Sequence, residues 1–263
     1  RTTSIFFAKG SLFCRMKLIE SQHNAQYQAV KRLLQKKYRK EERLYLVDGF
    51  KLVRDALRFG RSVKTVFCCE KTKAAAEALP LGKDCDCCCL PEELLNRLSE
   101  AQTPQGIVAV VQGGPEPFTP PQGKALLLDR IQDPSNLGAI LRTAVATDYR
   151  DVYLLNCADA FAPKTLRSAM SAQFVLRLQE IEGSQLAQLS QCGEFVCADM
   201  NGENVFSAGV DRRHVLVLGN EGQGVEEAVR KLCHKTVSIP MLNGLESLNV
   251  AVSAGVIMYA LLK

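Results

Sequence analysis

Three polar turns, each set at the end of an apolar run, hold the side chains best suited to chemistry. The first lies in LLLDRIQDPSNLGAILRTA (126–144) and carries Asn136, Gly138 and Arg142. The second, VLVLGNEGQG (215–224), carries Gly219, Asn220, Glu221 and Gly222; the third, IPMLNGLESLNVAVSAGVIMYALL (239–262), carries Asn243, Glu246, Ser247 and Asn249. Glycine leaves room for main-chain amides and carbonyls to meet a ligand directly. Arginine stays protonated, which makes it a poor base and a good phosphate clamp. All three histidines, His23, His214 and His234, fall outside the turns, which speaks against acid–base work by imidazole. GNEGQG has the wrong glycine spacing for a dinucleotide fingerprint. Taken singly, each residue also has a plain structural reading: Arg142 as a surface cation, Asn136 and Asn249 as helix caps, Gly219 and Gly222 as a strand-to-helix turn.

The scaffold around these turns is predicted from alternating strand and helix patterns. Before residue 113 the order is a helix capped by Asn24 and running to about Arg39, strand RLYLVD, a helix over 50–59 stopped by Gly60, and strand VKTVFCC. A helix near 72–78, a cysteine-rich strand, a helix begun at Pro91 and strand GIVAVVQ follow. This alternation implies a three-layer α/β unit with a mostly parallel sheet. GGPEPFTPPQ (113–122) reads as a semi-rigid linker. Beyond it come strand 125–129, a helix from about Asn136, strand VYLL, a helix near 163–170, strands around Phe174 and Phe195, and the strand of the second turn. A helix near 225–232 and strand TVSIP precede a last helix that is apolar on nearly every side and so is expected to be buried. Residues 1–15 continue no period and lack an initiator Met; they are expected to be an extension or poorly ordered arm.

The net charge of +5 is unevenly spread. Residues 1–122 hold 20 Lys/Arg against 13 Asp/Glu, whereas 123–263 hold 13 against 15. Lys31, Arg32, Lys36, Lys37 and Lys40 crowd the end of the first helix, so the front half is expected to meet a polyanion. Eleven cysteines, with no secretory signal and no apolar run of membrane-spanning length, fit a reducing cytoplasm and no membrane association. Cys85 and Cys88 have C-x-x-C spacing, but adjacent Cys68 and Cys69 do not supply a second spaced pair. No metal is therefore expected, and the cysteines read as small hydrophobes of a buried strand.

In this order the three turns resemble motifs 1, 2 and 3 of the SPOUT superfamily, specifically the TrmH-like ribose 2'-O-methyltransferases. The matching residues are Asn136, Gly138 and Arg142; Gly219, Glu221 and Gly222; and Ile239, Pro240, Ser247, Leu248 and Asn249. The resemblance implies an α/β fold with a C-terminal trefoil-knotted methyltransferase domain (123–263), a linker (113–122) and a smaller N-terminal α/β RNA-binding domain (16–112) related to kink-turn-binding ribosomal proteins. In that front domain LVDGFKLVRDAL is similar to a family segment with Asp48 as its acid, and TPQGIVAV carries Pro104 where a His is common. It implies S-adenosylmethionine as methyl donor, contacted by Leu218, Gly219, Asn220, Gly222, Ile239, Met241 and Leu248. It casts Arg142 as the residue that engages the target nucleotide, as base or as phosphate-organising cation, with Asn136, Glu221, Ser247 and Asn249 orienting it. PKTLRSAMSAQF resembles a substrate-side segment, which adds Lys164, Arg167 and Ser168 as RNA contacts. The implied protein is a homodimer that binds RNA and not DNA, and the basic front domain favours large-subunit (23S) rRNA over tRNA. Two other readings stay open at this point: a tRNA or antibiotic-resistance rRNA methyltransferase, and a non-catalytic RNA-binding or assembly factor on the same scaffold.

Overall fold

The computed structural model describes residues 16–243 and 247–262. The arm expected at 1–15 lies outside the described residues, as does the 244–246 portion of the third turn.

The front half contains β1 (Lys17–Leu18), α1 (Ala25–Arg32), α2 (Lys36–Glu42), β2 (Leu44–Asp48), α3 (Phe50–Arg58) and β3 (Val63–Cys68). It continues with α4 (Lys73–Glu77), β4 (Asp86–Cys89), α5 (Glu92–Asn96) and β5 (Ile107–Gln112). Asn24 caps α1 as predicted, accepting from the amides of Gln26 and Tyr27 at 2.9 and 3.2 Å. The single helix expected to Arg39 is two helices, because Leu33 turns into the core and Gln35 is extended (φ −99°, ψ 134°). The sheet, ordered β1-β4-β3-β5-β2, is not mostly parallel: β5 runs antiparallel to both of its neighbours. The chain re-enters the sheet from the end at which β4 finished, whereas parallel pairing needs a full crossover back along the strands. Cys68, Cys69, Cys85, Cys87, Cys88 and Cys89 are buried in and beside β3 and β4.

The back half contains β6 (Ala125–Asp129), α6 (Pro134–Ala146), β7 (Asp151–Leu155), α7 (Pro163–Ala169), β8 (Arg177–Glu180) and α8 (Gly183–Leu189). β9 (Phe195–Asn204), β10 (Val215–Leu218), α9 (Glu227–Arg230), β11 (Lys235–Ser238) and α10 (Val250–Ala260) complete it. Every pairing in its sheet, ordered β11-β9-β10-β6-β7-β8, is parallel. All carboxyl ends of the strands thus lie along one edge, where parallel α/β sheets bind their ligands. Phe174 does not sit on a strand but in a 3-10 turn (Ala172–Phe174), because Met170 and Ser171 adopt left-handed conformations (φ 48° and 77°) that end α7 and turn the chain. The helix expected over 225–232 is the single turn α9. α10 is not buried on all sides: Ala254, Ile257 and Met258 face α6, while Val252 and Tyr259 are 52% and 57% exposed. No helix among the described residues is long and apolar enough to cross a membrane.

The halves share one continuous apolar core, in which the ring of Tyr45 of β2 packs tilted against Phe161 at 4.9 Å between ring centroids. Arg39 of α2, only 7% exposed, donates from Nε and Nη2 to Asp159 Oδ2 (2.9 and 2.5 Å) and from Nη1 to Leu33 O (2.6 Å). Arg61 donates to Phe174 O at 2.7 Å, and Ser171 to Asp55 at 2.5 Å. Residues 113–122 form no helix or strand but are strapped to the back sheet. Glu116 N donates to Leu178 O (2.7 Å), Thr119 N to Gln179 Oε1 (2.6 Å) and Tyr153 Oη to Thr119 O (2.7 Å).

Candidate active site

The first turn follows β6 and opens α6. Asp133, not Asn136, caps that helix, accepting from Ser135 N (2.7 Å) and Asn136 N (2.9 Å), with Pro134 in the first turn. Those two amides, with help from Lys164 3.6 Å away, hold the Asp133 carboxyl below the usual carboxylate range. Asn136 is thereby left to use its side chain across space. Its Nδ2 donates to Glu221 Oε1 in the second turn at 3.0 Å, and its Oδ1 accepts from Asn249 Nδ2 in the third, also at 3.0 Å. Asn249 is a helix cap as well, its Oδ1 accepting from Ala251 N and Val252 N at the start of α10. One amide, Asn136, therefore ties together three segments, its partners lying 85 and 113 positions away in sequence.

The second turn is closed on itself. Asn220 and Gly224 exchange main-chain hydrogen bonds (3.0 and 2.9 Å), while Asn220 Oδ1 accepts from Gly222 N and Gln223 N. A Cβ added at Gly219 would lie 2.3 Å from the backbone of Gly224 and Val225. The glycine is thus required by the loop's own closure, which is compatible with its main chain facing a ligand. A Cβ at Gly222 meets only Asn220 Oδ1, at 3.7 Å, so that position faces open space. Gly138 is required by packing: a Cβ on it would lie 2.5 Å from Ser168 and 2.8 Å from Thr165 O, where α6 crosses α7.

Leu218 is buried at the end of β10, while Ile239, Met241 and Leu248 are half-buried around the third turn, and Ser247 is exposed. The main-chain groups of Gly219 and of Ile239 to Asn243 enter no hydrogen bond among the described residues. Apolar side chains beside spare backbone donors and acceptors suit an adenosine: a flat base with polar edges. S-adenosylmethionine therefore fits the donor set, with Leu218, Gly219, Ile239, Met241 and Leu248 as the residues to hold it. Cys157, which donates to Leu128 O at 3.1 Å, is pushed up to about 12 by burial and is no nucleophile at neutral pH.

Arg142 is exposed on α6 and makes no hydrogen bond or ion pair among the described residues, as suits a cation kept for a ligand. The other candidates divide. Lys31, Arg32, Lys36 and Lys37 are exposed on α1 and α2, with Arg32 and Lys37 over the Tyr38 ring at 5.4 and 5.8 Å. Lys40 is ion-paired with Glu180 of the back half. Arg167 reaches Glu100 O (3.4 Å) in the front half, and Ser168 donates to Ser135 O (2.7 Å). These last three are therefore engaged within the fold. Sequence reasoning missed Asp133, although Asp-Pro before an apolar helix is a start signal. It also missed Arg130, which nothing in the pattern distinguished.

Residues 123–259 match the SpoU rRNA Methylase family model, and residues 24–109 match the MRM3-like substrate binding domain. The chain is 34% identical to the Bacillus subtilis 23S rRNA (guanosine(2553)-2'-O)-methyltransferase RlmP, over 94% of this chain and 99% of that protein. Among solved structures it resembles an AdoMet-bound rRNA methyltransferase from Sinorhizobium meliloti (TM-score 0.82, 25% identity, covering 93% and 97% of the two chains). It likewise resembles a TrmH-family RNA methyltransferase from Porphyromonas gingivalis (TM-score 0.80, 31% identity, covering 90% and 96%).

Proposed function

Because the chain belongs to the SpoU rRNA methylase family, we propose that it is an S-adenosylmethionine-dependent ribose 2'-O-methyltransferase of 23S rRNA, acting in the cytoplasm. The observation that carries this reading is the hydrogen-bonded line Glu221–Asn136–Asn249, which joins all three turns at one edge of a parallel sheet.

When bound, the sulfonium supplies an electrophilic methyl group, so the chain's task is to position and to polarise. The backbone of 219–222 and of 239–243 receives the donor, and the Asn136 line fixes the second and third turns relative to α6. Arg142, protonated, organises the phosphate beside the target ribose and holds the 2'-hydroxyl in line. The exposed cations of α1 and α2 grip the RNA backbone farther out. Two features of the family belong to the same reading. The trefoil knot is supported by the path after β11, which leaves one edge of the sheet and reaches Asn136 beyond β9 and β10. The homodimer is supported by the apolar side chains that α10 leaves uncovered, Val252 and Tyr259.

The test is methyl transfer from labelled S-adenosylmethionine to 23S rRNA and to tRNA, with 2'-O-methyl positions mapped afterwards. Label in one ribose of 23S rRNA is the expected outcome. Labelled tRNA alone would reassign the substrate, and a chain that binds neither the donor nor RNA would overturn the reading. Sedimentation of the wild type against Tyr259→Glu checks the dimer.

A further inference from the structure

Arg130 is the first residue after β6, at the start of the first turn, yet it touches the second at several points. Its backbone is left-handed (φ 57°), a conformation unfavourable for a side chain-bearing residue and one that persists only when its surroundings impose it. Its amide donates to Leu155 O at 2.8 Å, and its carbonyl accepts from Asn220 Nδ2 at 3.0 Å. The guanidinium spreads over the same loop: Nη1 donates to Gln223 Oε1 (2.9 Å), Nη2 to Gly224 O (3.3 Å) and Nε to Asp129 Oδ1 (3.2 Å). Asp129, fully buried, accepts at its other oxygen from Glu226 N at 2.7 Å, just past the loop. The Glu226 carboxylate lies 3.7 Å from Arg130 Nε.

From this geometry we infer that Arg130 is a positioning residue, which holds the 219–224 loop in the shape that receives the methyl donor. The inference rests on the functional reading given above. Arg130 does not itself join the Glu221–Asn136–Asn249 line; it acts through the side-chain amide of Asn220 and the carbonyl of Gly224. Two hinge points of the loop, Asn220 and Gly224, are thereby pinned from one residue on the neighbouring strand. A planar fork with fixed donor directions can serve Gln223, Gly224 and Asp129 at once, which a lysine ammonium cannot do with the same geometry.

Donor affinity by calorimetry, thermal melting and steady-state kinetics on the full chain test this. Arg130→Gly removes the fork and relieves the left-handed backbone, but it also takes the cation from buried Asp129, so its melting temperature should fall by a few degrees with the chain still folded at assay temperature. Its Kd and KM for S-adenosylmethionine should rise roughly tenfold, with kcat at saturating donor little changed, the pattern of lost uniform binding. Arg130→Lys should fall between. Gln223→Ala, on the exposed loop, should raise Kd by roughly threefold through one lost acceptor. Unchanged donor affinity in Arg130→Gly or Gln223→Ala beside a wild type that binds overturns this assignment alone. A wild type that does not bind the donor overturns it together with the functional reading.

Discussion

At the scale of single residues, Arg142 and Asn136 have separable duties. Arg142→Ala should lower methyl transfer by at least roughly a hundredfold and leave donor affinity within twofold, because the exposed side chain makes no hydrogen bond or ion pair among the described residues. Labelled-methyl incorporation beside calorimetry measures both, and equal losses would make the residue structural. His214 gives a second residue-scale expectation. Its Nδ1 faces Asp211 O and its Nε2 the Tyr149 hydroxyl, both at 2.6 Å, and burial holds it below its ordinary value of 6.5. The unfolded chain takes up that proton as pH falls below about 6.5 and the folded chain resists it. Stability should thus be full above neutrality and decline toward pH 5, with a flatter profile in His214→Gln, as read from urea midpoints at each pH. The glycine- and asparagine-bearing turns could be picked out from residue types alone. The partner of each amide could not, since Asn136 turns from cap to bridge only because Asp133 takes the cap.

Among the elements, α10 carries the clearest test, because Asn249 both starts it and reaches Asn136. Asn249→Asp keeps the capping oxygen and loses the donor, so it should retain stability while activity falls. Asn249→Ala should lose activity and also about 1 kcal/mol of unfolding free energy, the usual worth of a helix cap. Denaturant melts paired with transfer assays separate the two, and equal activity in Asn249→Asp and wild type would show that the amide bridge is idle. Strands built from unbroken apolar runs, such as Leu126–Leu128 and Val215–Leu218, were legible because burial on both faces leaves such a signature. Direction was not: the sign of β5 depends on whether the connection after β4 crosses back over the sheet, and periodicity is blind to that. Phe174 misled for a related reason, its apolar neighbours following a turn set by Met170 and Ser171.

For the whole molecule, the basic front and the catalytic half behave as one body joined by buried polar bolts. Arg39→Met leaves Asp159 without its partner and should destabilise by roughly 3 kcal/mol, with part recovered when Asp159→Asn is added; calorimetric melting of the single and double variants measures it. Charge reversal at Lys31, Arg32, Lys36 and Lys37 should weaken RNA binding and flatten its salt dependence. Lys40, paired with Glu180, should contribute less to that slope, and equal slopes for wild type and the fourfold variant would exclude this face. The bipartite charge was plain in the sequence. The tightness of the join was not, because a proline-rich stretch reads as a spacer until Glu116, Thr119 and Tyr153 are seen to fasten it. That strap has a practical corollary for anyone who would build chimaeras from this scaffold. Exchanging the front module at residue 112 leaves the strap on the back sheet that holds it but strands Asp159 and Phe161 without Arg39 and Tyr45, so a working graft has to travel with the β7–α7 loop it locks onto.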